Sequence, residues 1–299
     1  MKFKGLGTAL ITPFKVDGSL DESALERLVD FQIDGGVDFL VPCGTTGENP
    51  ALSAGEHRRV VEIVVRRANG RVAVLAGAGS NGTPRAIELA EQAIDIGADG
   101  VLTITPYYNK PTPDGLRRHF GMQAEAIEKK KPGFPMIMYN VPGRTGVNMT
   151  AETTLRMAAE IPNIIGVKEA SANLEQIMTV IRNRAVGFLV LSGDDAWTVP
   201  LIAAGADGLV SVASNEIPRL MSDLVTAALR ADFAAARAVH YRVLPLLLGN
   251  FMESNPIPVK TACKILGIIE NDTVRSPLAP ISDANRKKLE AILKECGLS

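Results

Sequence analysis

Lys168 closes an apolar run, Ile164-Ile165-Gly166-Val167-Lys168, that reads as a strand. A lysine held in a medium of low dielectric has its charged form disfavoured. The neutral amine can then attack a carbonyl carbon and form a Schiff base. Side chains alternate along a strand, so Lys168 and Gly166 share one side, and the bare Gly166 is expected to leave room for the lysine stem. The competing reading is a lysine that snorkels to a rim or pairs with Glu169. Tyr139 ends another apolar run, and its phenol either moves a proton or is satisfied by a backbone carbonyl. Five residues on, Arg144 sits in a Pro-Gly loop with a fork that matches a carboxylate, unless it is simply solvated. Gly44-Thr45-Thr46-Gly47 offers two hydroxyls and glycine-freed N–H groups, a nest for a small carboxylate or an ordinary polar turn. Tyr107 and Tyr108 follow Pro106, a pair that suits an interface.

These residues need elements that bring them together. Gly36-Val37-Asp38, Gly97-Ala98-Asp99 and Gly205-Ala206-Asp207 each follow a helical stretch and open an apolar run. The glycine supplies a left-handed helix cap, and the run after it reads as a buried strand. Val60, Val61, Val64, Val65 and Ala68 make one helical stripe, with Arg58, Arg59, Glu62, Arg66 and Arg67 opposite. Ser53 and Glu56 have capping-box spacing, and Thr83-Pro84 predicts a cap followed by a proline at the first helical position. Strands are expected near 6–11, 37–41, 72–76, 100–104, 135–139, 164–168, 188–192 and 208–212, each followed by a helix. Eight alternating units close naturally into an α/β (βα)8 TIM barrel; an open doubly wound sheet is the alternative. Strands stop near residue 230, which predicts a catalytic barrel over 1–229 and a C-terminal helical subdomain over 230–299. In a barrel, chemistry gathers at the strand ends, where the residues above fall.

Gly77-Ala78-Gly79-Ser80-Asn81-Gly82 fits the dinucleotide-binding pattern G-x-G-x-x-G, with Asp95 or Asp99 about 20 residues on. It sits in the third unit, and neither aspartate ends the next strand, so a tight βα turn is the better reading. The 299 residues carry 32 Lys+Arg against 33 Asp+Glu, which gives no electrostatic footprint for nucleic acid or anionic lipid. No apolar run approaches the roughly 18 residues of a membrane span, and Met1 to Phe14 lacks a signal-peptide pattern. Cys43, Cys263 and Cys296 are expected to be free thiols in a reducing cytoplasm. His57, His119 and His240 have no metal-ligand spacing, so no metal is expected. Aromatics are only 5% of the chain, and three of its four tyrosines (Tyr107, Tyr108 and Tyr139, but not Tyr241) fall at strand-end motifs.

Taken together, GTTGE at 44–48, TPYYNKP at 105–111, YNVPGRTG at 139–146, GVKEAS at 166–171, LSGDDA at 191–196 and NPIPVK at 255–260 resemble one family. It is the pyruvate-dependent class I aldolase family that includes dihydrodipicolinate synthase and N-acetylneuraminate lyase. The arginine of YNVPGRTG and the KEAS segment look like the synthase branch. The resemblance implies that Lys168 forms an imine with pyruvate, that Thr46 helps hold the pyruvate carboxylate, and that Tyr139 is the central acid and base. It further implies that Thr45 links Tyr139 to Tyr108 of a neighbouring subunit, and that Arg144 clamps the carboxylate of L-aspartate 4-semialdehyde. Gly193 and Val210 would line the pyruvate pocket through their backbones. The implied reaction gives 4-hydroxy-tetrahydrodipicolinate, in the diaminopimelate route to lysine, with no cofactor beyond the imine. A homo-oligomer is implied, as a tetramer built from a dimer of dimers.

His57, Asn81 and Tyr107 match the L-lysine effector site of feedback-sensitive members, whereas Ala54 and Arg85 replace a histidine and a glutamate. Arg85 would repel a cationic effector, so weak or absent lysine inhibition is expected. Two other readings stand beside this one: a lyase or aldolase acting on a sugar-derived 2-oxo acid, and a catalytically silent metabolite-binding relative.

Overall fold

The computed structural model describes residues 2–298. Eight short strands, β1 (Gly5–Ala9), β2 (Phe39–Val41), β3 (Ala73–Gly77), β4 (Gly100–Ile104), β5 (Met136–Asn140), β6 (Ile164–Glu169), β7 (Leu189–Ser192) and β8 (Gly208–Ser211), pair in sequence order. All pairs are parallel, and β1 closes on β8, so the barrel has no free edge. The open-sheet alternative is thereby excluded.

The glycine-aspartate repeats do more than end helices. Gly36, Gly97 and Gly205 take φ of 86°, 93° and 108°, the left-handed region that lets the chain turn out of a helix. Each following aspartate then clamps the preceding strand. Asp38 accepts from the Leu6 N–H at 2.7 Å, Asp99 from Val74 at 3.0 Å, and Asp207 from Val190 at 2.9 Å. The backbone N–H of the same three aspartates donates to the carbonyls of Leu6, Val74 and Val190. One repeated triplet therefore satisfies the strand-start groups at the face opposite the chemistry.

Two cores result. Phe39, Leu75, Leu102, Ile137, Leu189, Leu191 and Val210 fill the barrel interior, with Phe3 edge-on to Phe39 at its base. A larger cluster lies between the outer strand faces and the helices; Val60, Val61, Val64 and Ala68 of the 54–68 helix join it, as their spacing predicts. Each such fully buried valine contributes about 1.5–3 kcal/mol. The helices Phe233–Gly249, Ile257–Ile265 and Asp283–Glu295 follow the barrel and send Val243, Leu246, Val259 and Leu289 into the same outer core.

One local expectation is overturned. Ser53 and Glu56 form the capping box, but Thr83 does not cap its helix. Gly82 is the N-cap without any side-chain bond, and the Thr83 hydroxyl is engaged instead with His119 Nδ1 at 2.9 Å.

Candidate active site

Strand β6 turns Lys168 inward and Glu169 outward. Glu169 accepts from Asn140, the Ser171 N–H and Gln176, so it is not the partner of Lys168. Lys168 is 6% exposed, and its Nζ lies 4.2 Å from the centroid of the Tyr139 ring on the adjacent strand. Among the described residues no acceptor lies within hydrogen-bonding distance of that nitrogen. Burial pulls the Lys168 ammonium down to about 8, opposed by the charge of Asp195 and aided by that of Arg144. The amine is therefore substantially neutral at mildly alkaline pH.

Room for the lysine comes from a different glycine than the strand pattern suggests. A Cβ at Gly166 would strike the Leu189 carbonyl oxygen at 2.7 Å, so Gly166 is bare because β7 crosses close by. A Cβ at Gly193 would sit 3.0 Å from Lys168 Cε, and it is Gly193 that leaves the stem its space.

Tyr139 is buried at the end of β5, and burial pushes its phenol up to about 12, while the charge of Arg144 and the nearby Thr45 hydroxyl pull the other way. It forms a wall of a cavity of about 230 Å³ that Thr45, Tyr107, Arg144, Leu102 and Ile104 also line. A smaller neighbouring cavity of about 180 Å³ shares Thr45 and Arg144 and adds Asn255 and Arg275. Gly77 and Gly79 border the larger cavity, and their role is steric. Cβ atoms there would meet the Cys43 carbonyl oxygen at 2.1 Å and Ile104 Cγ2 at 2.5 Å. The G-x-G-x-x-G segment is thus a close-packed βα turn leading into the 83–96 helix.

The threonine loop is strained and braced. Cys43 and Glu48, on either side of it, take left-handed φ of 56° and 53° although neither is glycine. Glu48 is buried against Lys260 at 2.6 Å and also accepts from the Arg275 N–H at 2.9 Å. Asn255 donates to Thr46 Oγ1 at 2.9 Å. The C-terminal segment thereby holds the loop in its unusual shape. On the far side, Asp195 accepts from Ser211 Oγ and from the N–H groups of Val212 and Ala213; burial pushes its carboxyl up to about 6.

The structure gathers Tyr139, Thr45 and Arg144 on one cavity, with Lys168 beside the Tyr139 ring and Gly193 against the lysine stem. Lys168 and Thr46 do not line that cavity; Thr46 is bonded to Asn255, and Val210 lies in the interior core. Nor does Tyr108 line it. That side chain is 89% exposed, and its backbone is held at φ 73°. Asp195, Asn255, Glu48 and Lys260 had no role assigned from sequence, although Asp195 lies in LSGDDA and Asn255 and Lys260 bound NPIPVK. Among the described residues no three His, Cys, Asp or Glu side chains gather as a metal-binding group.

Comparison with known proteins fits this geometry. The model of the dihydrodipicolinate synthetase family matches residues 2–296. The 4-hydroxy-tetrahydrodipicolinate synthase of Koribacter versatilis is 52% identical over 299 residues, covering 100% of this chain and 97% of its own. The crystal structure of dihydrodipicolinate synthase from Aquifex aeolicus superposes with a TM-score of 0.95 at 44% identity, over 99% of each chain. That of the chloride-inhibited dihydrodipicolinate synthase from Acinetobacter baumannii complexed with pyruvate gives a TM-score of 0.95 at 41% identity, again over 99% of each chain. With the barrel, the inward lysine and near-complete coverage all in agreement, the chain belongs to the dihydrodipicolinate synthetase family.

Proposed function

We infer that this enzyme condenses pyruvate with L-aspartate 4-semialdehyde through a lysine imine to give 4-hydroxy-tetrahydrodipicolinate. The observation that carries the reading is Lys168: buried, without a hydrogen-bonding partner, and stacked over a tyrosine whose phenol burial keeps protonated. Neutral Lys168 attacks the pyruvate carbonyl carbon, and loss of water leaves the imine. Removal of a methyl proton gives the enamine, whose carbon attacks the aldehyde carbon; the aldehyde oxygen takes up a proton. The amine of the second substrate then displaces Lys168, closing the ring and returning the enzyme amine.

Tyr139 is assigned the proton transfers, with Thr45 linking it to Tyr108 of a second copy. The exposure of Tyr108 in its own chain supports that direction of donation. Thr46 holds the pyruvate carboxylate, with Gly193 and Val210 beside it, and Arg144 takes the carboxylate of the aldehyde substrate. Completion of the site by Tyr108 calls for a homo-oligomer, and a tetramer built as a dimer of dimers is the form proposed. Residues 230–299 act as a helical subdomain that braces the threonine loop. Three buried, unpaired cysteines fit a reducing cytoplasm as the place of work. Among the described residues no helix is long and apolar enough to cross a membrane.

Borohydride reduction with pyruvate should attach one pyruvyl group, mapped to Lys168; trapping that survives in Lys168→Ala would refute the assignment. Arg144→Ala should raise KM for the semialdehyde about 10- to 100-fold, the range of a lost charged hydrogen bond. Unchanged kinetics there would favour a sugar-derived 2-oxo acid as the partner. Weak lysine inhibition is proposed as well. Both ring nitrogens of His57 are already engaged, by the Gly77 carbonyl and by Gln92, and Arg85 pairs with Glu88. Strong inhibition by sub-millimolar lysine would overturn this.

A further inference from the structure

We propose that Asn255 is a positioning residue for pyruvate binding, acting through Thr46; this rests on the pyruvate reading above. Asn255 lies 209 residues from Thr46 in sequence, and both side chains are buried, at 6% and 3% exposure. Its Nδ2 donates to Thr46 Oγ1 at 2.9 Å. A threonine hydroxyl has one proton to give and two lone pairs to fill. With a lone pair taken by Asn255, the proton is directed elsewhere, and no acceptor among the described residues receives it. The hydroxyl is left as a fixed donor for an incoming carboxylate.

Among the other buried asparagines, Asn250 also leaves its Oδ1 without a partner, beside the Glu216 carboxyl, whereas two others are fully engaged. Asn215 donates to the carbonyls of Ala9 and Val212 and accepts from the Ile11 N–H. Asn140 donates to Glu169 and accepts from the Met149 N–H. Both are satisfied at each end. Asn255 is not: its buried Oδ1 has no partner, so its single protein contact through the side chain is the bond to Thr46. An amide with one of its four hydrogen-bonding positions filled, at the edge of the cavity that Thr45 and Arg144 line, is placed for that one bond.

The direction of the bond makes the idea testable. Asn255→Asp keeps the shape but can only accept when ionised, which would turn the Thr46 proton away from the substrate. Steady-state kinetics and borohydride trapping should be measured for Asn255→Ala, Asn255→Asp, Thr46→Val and the Thr46→Val/Asn255→Ala pair. We expect Asn255→Ala to raise KM for pyruvate about tenfold, the size of one lost hydrogen bond to a charged group, with kcat falling less than about threefold. Asn255→Asp should raise KM at least as much. In the Thr46→Val background, removing Asn255 should change KM less than about twofold, because the two residues act as one unit. Effects that multiply in the double variant, or an Asn255→Asp enzyme with the parental KM, overturn the proposal. If Asn255→Asp does not fold, the alanine cycle decides alone. Parental enzyme that traps no pyruvate would instead remove the reading on which the proposal rests.

Discussion

Lys168 and Lys260 are two buried lysines of one chain, and each ammonium lies 4.2 Å from the centroid of an aromatic ring. They differ in what else surrounds the nitrogen. Lys260 Nζ donates to Glu48 Oε1 and to the Thr273 carbonyl, both at 2.6 Å. Lys168 Nζ has only the more distant charge of Asp195 in its favour, against burial and Arg144. Burial lowers both pKa values, but at Lys260 the carboxylate of Glu48 opposes it at contact distance. On the proposed mechanism the paired buried lysine is a brace, and the unpaired one is the nucleophile kept ready. The two are linked, because the Lys260–Glu48 pair holds the strained loop that carries Thr45 and Thr46.

The largest expected effect separates the two roles. Lys168→Ala should cut turnover by at least about 10⁴-fold, as loss of a covalent nucleophile does, while leaving the unfolding midpoint unchanged or raised. Lys260→Ala should act first on stability: it removes the cation beside buried Glu48 and should cost about 3–5 kcal/mol in chemical denaturation, with turnover reduced only through the loosened threonine loop and pyruvate still trapped on Lys168. Loss of trapping in a folded Lys260→Ala protein would break the distinction. Tyr139→Phe comes next, with kcat lowered about 10²- to 10⁴-fold by loss of the proton-transfer group and imine trapping at Lys168 retained.

A smaller effect tests the same logic at a buried acid. Glu216 accepts from Asn250 Nδ2 at 2.9 Å, yet Glu216 Oε1 and Asn250 Oδ1 are both buried without a partner. Burial holds this carboxyl well above the usual range. A protonated Glu216 can donate to Asn250 Oδ1 and leave neither atom unpaired. A raised pKa means that the folded state keeps a proton the unfolded chain releases, so stability falls as pH rises above the ordinary glutamate range. Glu216→Gln preserves both bonds without that loss. It should match the parent near pH 4 and exceed it by about 3 kcal/mol near pH 7, about 1.4 kcal/mol for each pH unit over which the unfolded glutamate is ionised and the folded one is not, as read by urea unfolding at the two pH values. Equal stability at both would contradict a neutral Glu216.

Much of this was legible in the sequence, for physical reasons. Short apolar strands alternating with amphipathic helices leave few closed solutions, and strand-end residues of a barrel must face one mouth. Lys168, Tyr139, Thr45, Thr46 and Arg144 could be placed there from local pattern alone. What the pattern could not supply were contacts between distant segments. The Gly166 vacancy belongs to Leu189 of the next strand, and Thr83 is drawn from its cap by His119. The brace joins Glu48 to Lys260 across 212 residues, and the Asp38, Asp99 and Asp207 clamps each bond a different strand. Such pairings depend on which elements become neighbours, and a single sequence does not state that.

In the proposed mechanism, burial without a partner makes Lys168 the reactive amine. The direct test is the rate of borohydride trapping with pyruvate as a function of pH, with the labelled peptide identified by mass spectrometry. A single label on Lys168 is expected, with a rate that climbs as the ammonium loses its proton and levels above pH of about 8. A rate still rising at pH 10, the ordinary range for lysine, or a label on Lys260, would contradict it.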